Sequence, residues 1–173
     1  FSMMSAGDAE VIIEGENIND SLGSLSNSAT ADINNDGYDD MVLAASYYDT
    51  PKTSSGVAYV FLGGCDGDTS CGGRTSGVFS LSSTGVVSVT KADVDITGDA
   101  GNRFFGSSIA AGDVNDDGYE DIAISAYGYS SYKGTVAVFL GGCDGASGCG
   151  TATGVFDLVY DLTDADAHHS RLG

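Results

Sequence analysis

Residues 31–46 read ADINNDGYDDMVLAAS, and residues 112–127 read GDVNDDGYEDIAISAY. Each stretch holds an acidic loop of the form D-x-N-x-D-G-x-x-D that runs straight into an apolar segment. The first loop is Asp32, Asn34, Asp36, Gly37 and Asp40; the second is Asp113, Asn115, Asp117, Gly118 and Asp121. Oxygen-bearing residues at positions 1, 3 and 5 of a tight loop aim inward, and glycine at position 6 permits the sharp turn. The carbonyl of position 7, Tyr38 or Tyr119, supplies a further oxygen, and Asp40 or Asp121 at position 9 closes the cage. Asp39 and Glu120 at position 8 are expected to face solvent. A set of hard oxygen donors suits calcium, which takes about six to eight of them, better than magnesium, which keeps its waters. An EF-hand needs a bidentate acid at position 12, where this chain has Leu43 or Ile124. The loops are therefore not EF-hands. An Asx-rich turn without metal would use the same residue types. It would leave three carboxylates per loop repelling one another, twice, at matched positions.

The repeat extends beyond the loops. Residues 56–65 (GVAYVFLGGC) match 134–143 (GTVAVFLGGC), and Gly77-Val78-Phe79 matches Gly154-Val155-Phe156. Upstream, Leu22-Gly23-Ser24 matches Phe105-Gly106-Ser107. Self-similarity of this kind marks a repeat architecture. Each copy reads as four strands: 24–31 or 107–112, then 41–46 or 122–126, then 57–62 or 135–140, with a fourth beginning at Val78 or Val155. The runs are short, rich in Val, Ile, Phe and Tyr, and bounded by Gly, Asn, Asp and Ser. No window sustains a 3.6-residue period, so little helix is expected. The expected fold is all-β, with propeller-type four-stranded antiparallel blades: two full repeats plus a blade split between the N- and C-terminal ends. A β-sandwich would not place identical loops at matching points of two successive sheets.

The chain divides as 1–20, a partial blade with a degenerate loop; 21–105, the first repeat; 106–160, the second; and 161–173, the start of the split blade. Asp8-Ala9-Glu10 enters Val11-Ile12-Ile13 without the loop pattern, so no metal is expected there. Unpaired sheet edges are avoided in natural proteins. The ends are therefore expected to pair with other copies of the chain or with the remainder of a larger propeller.

The matching segments, above all 105–113 (FGSSIAAGD), the acidic loop and 134–141 (GTVAVFLG), resemble the FG-GAP repeat family, the blades of the integrin α-subunit propeller and of many bacterial surface proteins. The first copy is looser, with Leu22-Gly23 for Phe-Gly, and the family's Gly-Ala-Pro is absent. The resemblance implies one calcium ion in the hairpin loop between strands one and two of each blade, hence two structural ions. It also implies a role in adhesion or recognition.

Composition narrows the function further. The 173 residues carry 25 acids against 6 bases, a net charge of −19. Such a chain cannot neutralise phosphates, which argues against nucleic acid and anionic membranes. No run reaches the ~18 apolar residues of a membrane span, so no direct membrane insertion is expected. Cys65 and Cys71 share a C-x5-C spacing with Cys143 and Cys149, and Phe-Leu-Gly-Gly precedes each pair. Two local disulfides in an oxidising, extracellular or cell-surface setting fit this pattern, while one zinc site of four thiols is the alternative. His168 and His169 are the only histidines, and no Ser-His-Asp pattern, zinc helix or phosphate loop appears, so no enzyme is expected. Tyr47, Tyr48, Tyr127, Tyr129 and Tyr132 cluster between strands two and three, where they stiffen loops or contact a protein or glycan ligand. The leading expectation is a non-enzymatic, calcium-stabilised adhesion or assembly module. A lectin-like propeller and an accessory domain of a secreted enzyme are the alternatives.

Overall fold

The computed structural model describes residues 9, 11–24, 26–33, 37–63, 85–116 and 118–141. Their strands are β1 (Val11–Glu14), β2 (Ser28–Ala31), β3 (Asp40–Ala45), β4 (Val57–Phe61), β5 (Gly85–Ser88), β6 (Val94–Thr97), β7 (Phe105–Gly112), β8 (Asp121–Ala126) and β9 (Thr135–Phe139). A one-turn 3-10 helix, Val89–Lys91, follows β5. Tyr129–Tyr132 is a tight turn wound through the left-handed region, with φ of 47° at Ser130, 59° at Ser131 and 68° at Tyr132.

The first blade is the antiparallel sheet β2-β3-β4-β6. Its first three strands fall where the sequence puts them. The fourth place, beside β4, is taken by Val94–Thr97, a strand the sequence reading did not mark. The Val78 run and its partner at Val155 lie outside the described residues. The reason is visible in the strand itself. Val94 and Ile96 alternate with Asp95 and Thr97, and only the apolar pair is buried. Register sets Val60 opposite Val94 and Ala58 opposite Ile96, which keeps the apolar side chains on one face. The described part of the second blade is β7-β8-β9, also antiparallel. The N-terminal strand behaves differently again. β1 pairs in parallel with β5, Ile12 opposite Val86 and Ile13 opposite Val87.

Two cores follow from the period-2 alternation of these strands. Val42, Ala44, Ala58, Val60, Leu62, Val94 and Ile96 cover one face of the first blade. They pack against Phe105, Ile109, Ile122, Ile124, Ala126, Ala137 and Phe139 of the second. Burying each large aliphatic side chain contributes ~1.5–3 kcal/mol, so the contact between blades contributes several such increments. The opposite face of the first blade, with Ala45, Val57, Tyr59 and Phe61, packs with Val89 and with Ile13 of β1. The molecule is thus a stack: the β1–β5 ribbon, the first blade, the second blade.

Close approach of the two blades explains Gly106. Its φ is +83°, and a Cβ there would sit 2.5 Å from the Ala44 Cβ of the facing sheet. The β7 ladder is interrupted between Phe105 and Ile109 at the same place. The Phe-Gly pair therefore combines an anchor and a gap: Phe105 is fully buried, and Gly106 lets the first blade come near enough to bury it.

Candidate metal centre

Both acidic loops sit in the same place, between the first and second strands of a blade. Asp32 follows β2 and Asp40 opens β3; Asp113 follows β7 and Asp121 opens β8. The position-1 carboxylates fold the loops in the same way. Asp32 Oδ2 accepts from the Gly37 N–H at 2.8 Å, and Asp113 Oδ2 from the Gly118 N–H at 2.9 Å. Gly37 and Gly118 both have φ of +88°, the left-handed turn that glycine takes without strain.

The position-9 aspartates are the most constrained acids of the site. Asp40 is 0 % exposed and Asp121 is 1 % exposed. One oxygen of each accepts from the loop: Ile33 N–H to Asp40 Oδ2 at 3.0 Å, Val114 N–H to Asp121 Oδ2 at 2.9 Å. The other accepts from the exit of the third strand: Gly63 N–H to Asp40 Oδ1 at 2.7 Å, Gly141 N–H to Asp121 Oδ1 at 2.8 Å. Each aspartate therefore ties the loop to the sheet.

The glycines that donate to Asp40 and Asp121 are residues that the sequence reading did not connect to the loops. A Cβ on Gly63 would lie 2.2 Å from the Asp39 carbonyl oxygen, and one on Gly141 would lie 2.1 Å from that of Glu120. Only glycine fits so near the backbone. The recurring Leu-Gly-Gly was the available signal, and its first glycine serves the acidic loop.

Tyr38 is 36 % exposed at position 7 of the first loop, and Tyr119 is half-buried at the same position of the second. Asp39 is exposed as expected, whereas Glu120 is half-buried. Asn115 is exposed. Asn34, Asp36 and Asp117 lie outside the described residues, as do Cys65, Cys71, Cys143, Cys149 and both histidines. Among the described residues no three His, Cys, Asp or Glu side chains converge on one point. The third carboxylate of each loop is among those not described. The donor set of the full loops is all oxygen and fits a hard divalent cation.

The tyrosines gather at the other end of the blades. The Phe104 ring stacks on Tyr127 at 4.6 Å between centroids, and Tyr47 meets Phe104 edge-on at 5.3 Å. Tyr132 lies 6.2 Å from Tyr127, and the Arg103 guanidinium sits 4.5 Å over the Tyr129 ring. Burial, and then a hydrogen bond with Tyr47, raise the Tyr127 phenol above its ordinary pKa. Tyr48 stands apart, with its hydroxyl donating to Glu16 at 3.3 Å. Phe104 completes the cluster at a φ of +55°, which its sequence context did not signal.

Residues 25–61 and 105–139 match the FG-GAP repeat family, and these bounds contain both acidic loops and the first three strands of both blades. The chain is an FG-GAP repeat protein. Its relatives include integrin alpha-IIb of Mus musculus, 34 % identical over 126 residues, or 69 % of this chain and 10 % of the relative. Integrin alpha-7 of Homo sapiens is 32 % identical over 120 residues, 68 % of this chain and 8 % of the relative. Integrin alpha-3 of Cricetulus griseus is 29 % identical over 129 residues, 73 % and 10 %. The FG-GAP chain thus spans about a tenth of the length of these integrin subunits. Its sheets are propeller-type blades of that family. No helix among the described residues is long and apolar enough to cross a membrane.

Proposed function

We propose that this FG-GAP chain is a non-enzymatic, calcium-stabilised module of an extracellular or cell-surface protein, acting in adhesion or as a building block of an assembly. The observation that carries the reading is the duplicated loop, whose position-1 and position-9 aspartates make the same hydrogen bonds in both blades. Two structural calcium ions are held by Asp32, Asn34, Asp36, the Tyr38 carbonyl and Asp40, and by Asp113, Asn115, Asp117, the Tyr119 carbonyl and Asp121. The ion neutralises carboxylates crowded into a short hairpin. The residues themselves orient the loop: Asp32 and Asp113 curl it, and Asp40 and Asp121 fasten it to the sheet. Cys65–Cys71 and Cys143–Cys149 form local disulfides in this setting. Partners are other copies of the chain or the remainder of a larger propeller.

Calcium chelation tests the metal. At free calcium about 100-fold above the dissociation constant, each ion adds about 2.7 kcal/mol. Thermal melts with calcium and with EDTA should differ by well over 5 °C at the ~2–4 °C per kcal/mol of a chain this size. Superimposable melts would remove calcium from the proposal.

The aromatic cluster favours a second reading, a surface that stacks against a glycan. Tyr47, Tyr127 and Tyr132 are 46 %, 44 % and 70 % exposed, with rings available to a flat apolar sugar face. A glycan array should then give specific hits that Tyr132→Ala weakens at least tenfold. An array without hits, or hits untouched by that substitution, rules this reading out.

A further inference from the structure

Gly141 stands between the two acidic loops. It fastens the second one, where its N–H donates to Asp121 Oδ1 at 2.8 Å. A Cβ on Gly141 would meet the Glu120 carbonyl oxygen, at position 8 of that loop. The same Cβ would lie 3.0 Å from the carbonyl oxygen of Ile33, at position 2 of the first loop. The matching Gly63 is placed differently, for the atoms nearest its Cβ position all belong to Tyr38 and Asp39 of its own loop. The exit of β9 is thus wedged between the acidic loop of its own blade and that of the blade before it.

Ile33 brings the first loop to this point. Its N–H donates to Asp40 Oδ2 at 3.0 Å, and its side chain is 0 % exposed in the core that the two blades share. One residue therefore holds the closing aspartate of its loop with its backbone and the second blade with its side chain. It also follows Asp32, the position-1 donor, directly in the chain. Asp40, Ile33, Gly141 and Asp121 make a continuous path between the two closing aspartates, through two hydrogen bonds and one backbone contact. A packed interior transmits displacement along such a path because it has few voids to absorb it.

We propose that Ile33 and Gly141 are positioning residues that couple the two calcium loops, so that filling one loop raises the affinity of the other. This rests on the calcium reading above. Ordering of the first loop fixes Ile33, whose carbonyl holds the exit of β9 and with it Asp121. The second loop then has less ordering left to do when its own ion arrives. Coupling is reciprocal, so each loop helps the other by the same factor, typically about 5–150-fold.

Equilibrium dialysis of the whole chain against calcium tests the coupling. Asp32→Asn and Asp113→Asn each remove one charge from one loop and leave an oxygen to accept from Gly37 or Gly118. The wild-type chain should take up two ions with a cooperative curve. Each aspartate variant should hold the ion of its intact loop at least about fivefold more weakly than the wild type holds its last ion. Ile33→Ala should make the two loops independent, so that adding Asp113→Asn no longer weakens the first loop. Ile33→Val keeps most of the buried volume and should restore the coupling, which a loss of stability alone would not explain. If Ile33→Ala does not fold, the wild type against the two aspartate variants decides. Affinities within about twofold of wild type in both aspartate variants, or cooperativity that survives Ile33→Ala, would overturn the coupling and leave two independent calcium sites. A wild-type chain that takes up no calcium would remove the calcium reading and the coupling with it, so the two failures are told apart.

Discussion

Phe105→Ala is expected to cost about 3–5 kcal/mol, among the largest losses of any single truncation at the described residues. Phe105 is fully buried between the blades and meets the Phe139 ring edge-on at 6.4 Å. Its neighbours are held by two sheets that are themselves hydrogen-bonded, so the void cannot collapse. The cost is therefore the lost transfer energy plus the cavity. A drop in the melting midpoint of about 10 °C is expected at ~2–4 °C per kcal/mol. Ile18→Ala is the control, since Ile18 is 90 % exposed and an exposed side chain away from special features changes stability by only about 0.5 kcal/mol. If the two variants melt together, the blades do not depend on each other in the way the burial implies.

Asp40→Ala is expected to be nearly as damaging, for a different reason. It leaves the Ile33 and Gly63 N–H groups without their carboxylate in a buried place. Hydrogen bonds to charged groups contribute ~1.5–3 kcal/mol each, and removing the acceptor exposes the full desolvation cost of the donors. Part of that loss is offset because a buried anion no longer has to be kept from water. A net loss of about 3–5 kcal/mol follows, and Asp121→Ala should behave alike through Val114 and Gly141. The decisive comparison is made in EDTA. A residue that only bound metal would melt like wild type once the metal is gone. Asp40→Ala should still melt lower, because its backbone bonds do not need the ion. Coincident melts in EDTA would show that the carboxylate is a ligand and nothing more. Asp39→Ala, at the exposed neighbouring position, should stay within about 0.5 kcal/mol of wild type.

The same residues show how far the sequence could be read. Strands β2, β3, β4, β7, β8 and β9 lie within a few residues of their expected bounds because short apolar runs between glycines and acids carry a local signal. The acidic loops were legible for the same reason: donors, glycine and closing aspartate all fall within nine residues. What was not legible depends on distance along the chain. β6 takes the place beside β4 because Val94 and Ile96 complete an apolar face already set by Ala58 and Val60, and a four-residue alternation looks like a linker until that face is known. The parallel pairing of β1 with β5 joins residues more than seventy positions apart and has no local mark. The second role of Asp40 needed Gly63, 23 residues downstream, which the repeat flagged but could not place.

The seam between the blades is made of backbone as well as side chains. Gly56 bridges to Phe105, and the Asn102, Phe104 and Phe105 N–H groups donate to the carbonyls of Thr53, Ser54 and Ser55 at 2.8, 3.1 and 3.1 Å. The Ile109 N–H reaches back to the Ser26 carbonyl at 3.0 Å. Neither sheet can open without breaking bonds that belong to the other. Blades joined only by a flexible tether would melt one at a time, each at its own temperature. Sewn together in this way, the two should share a single melting transition, so that calorimetry shows one peak for the pair and none for either blade alone.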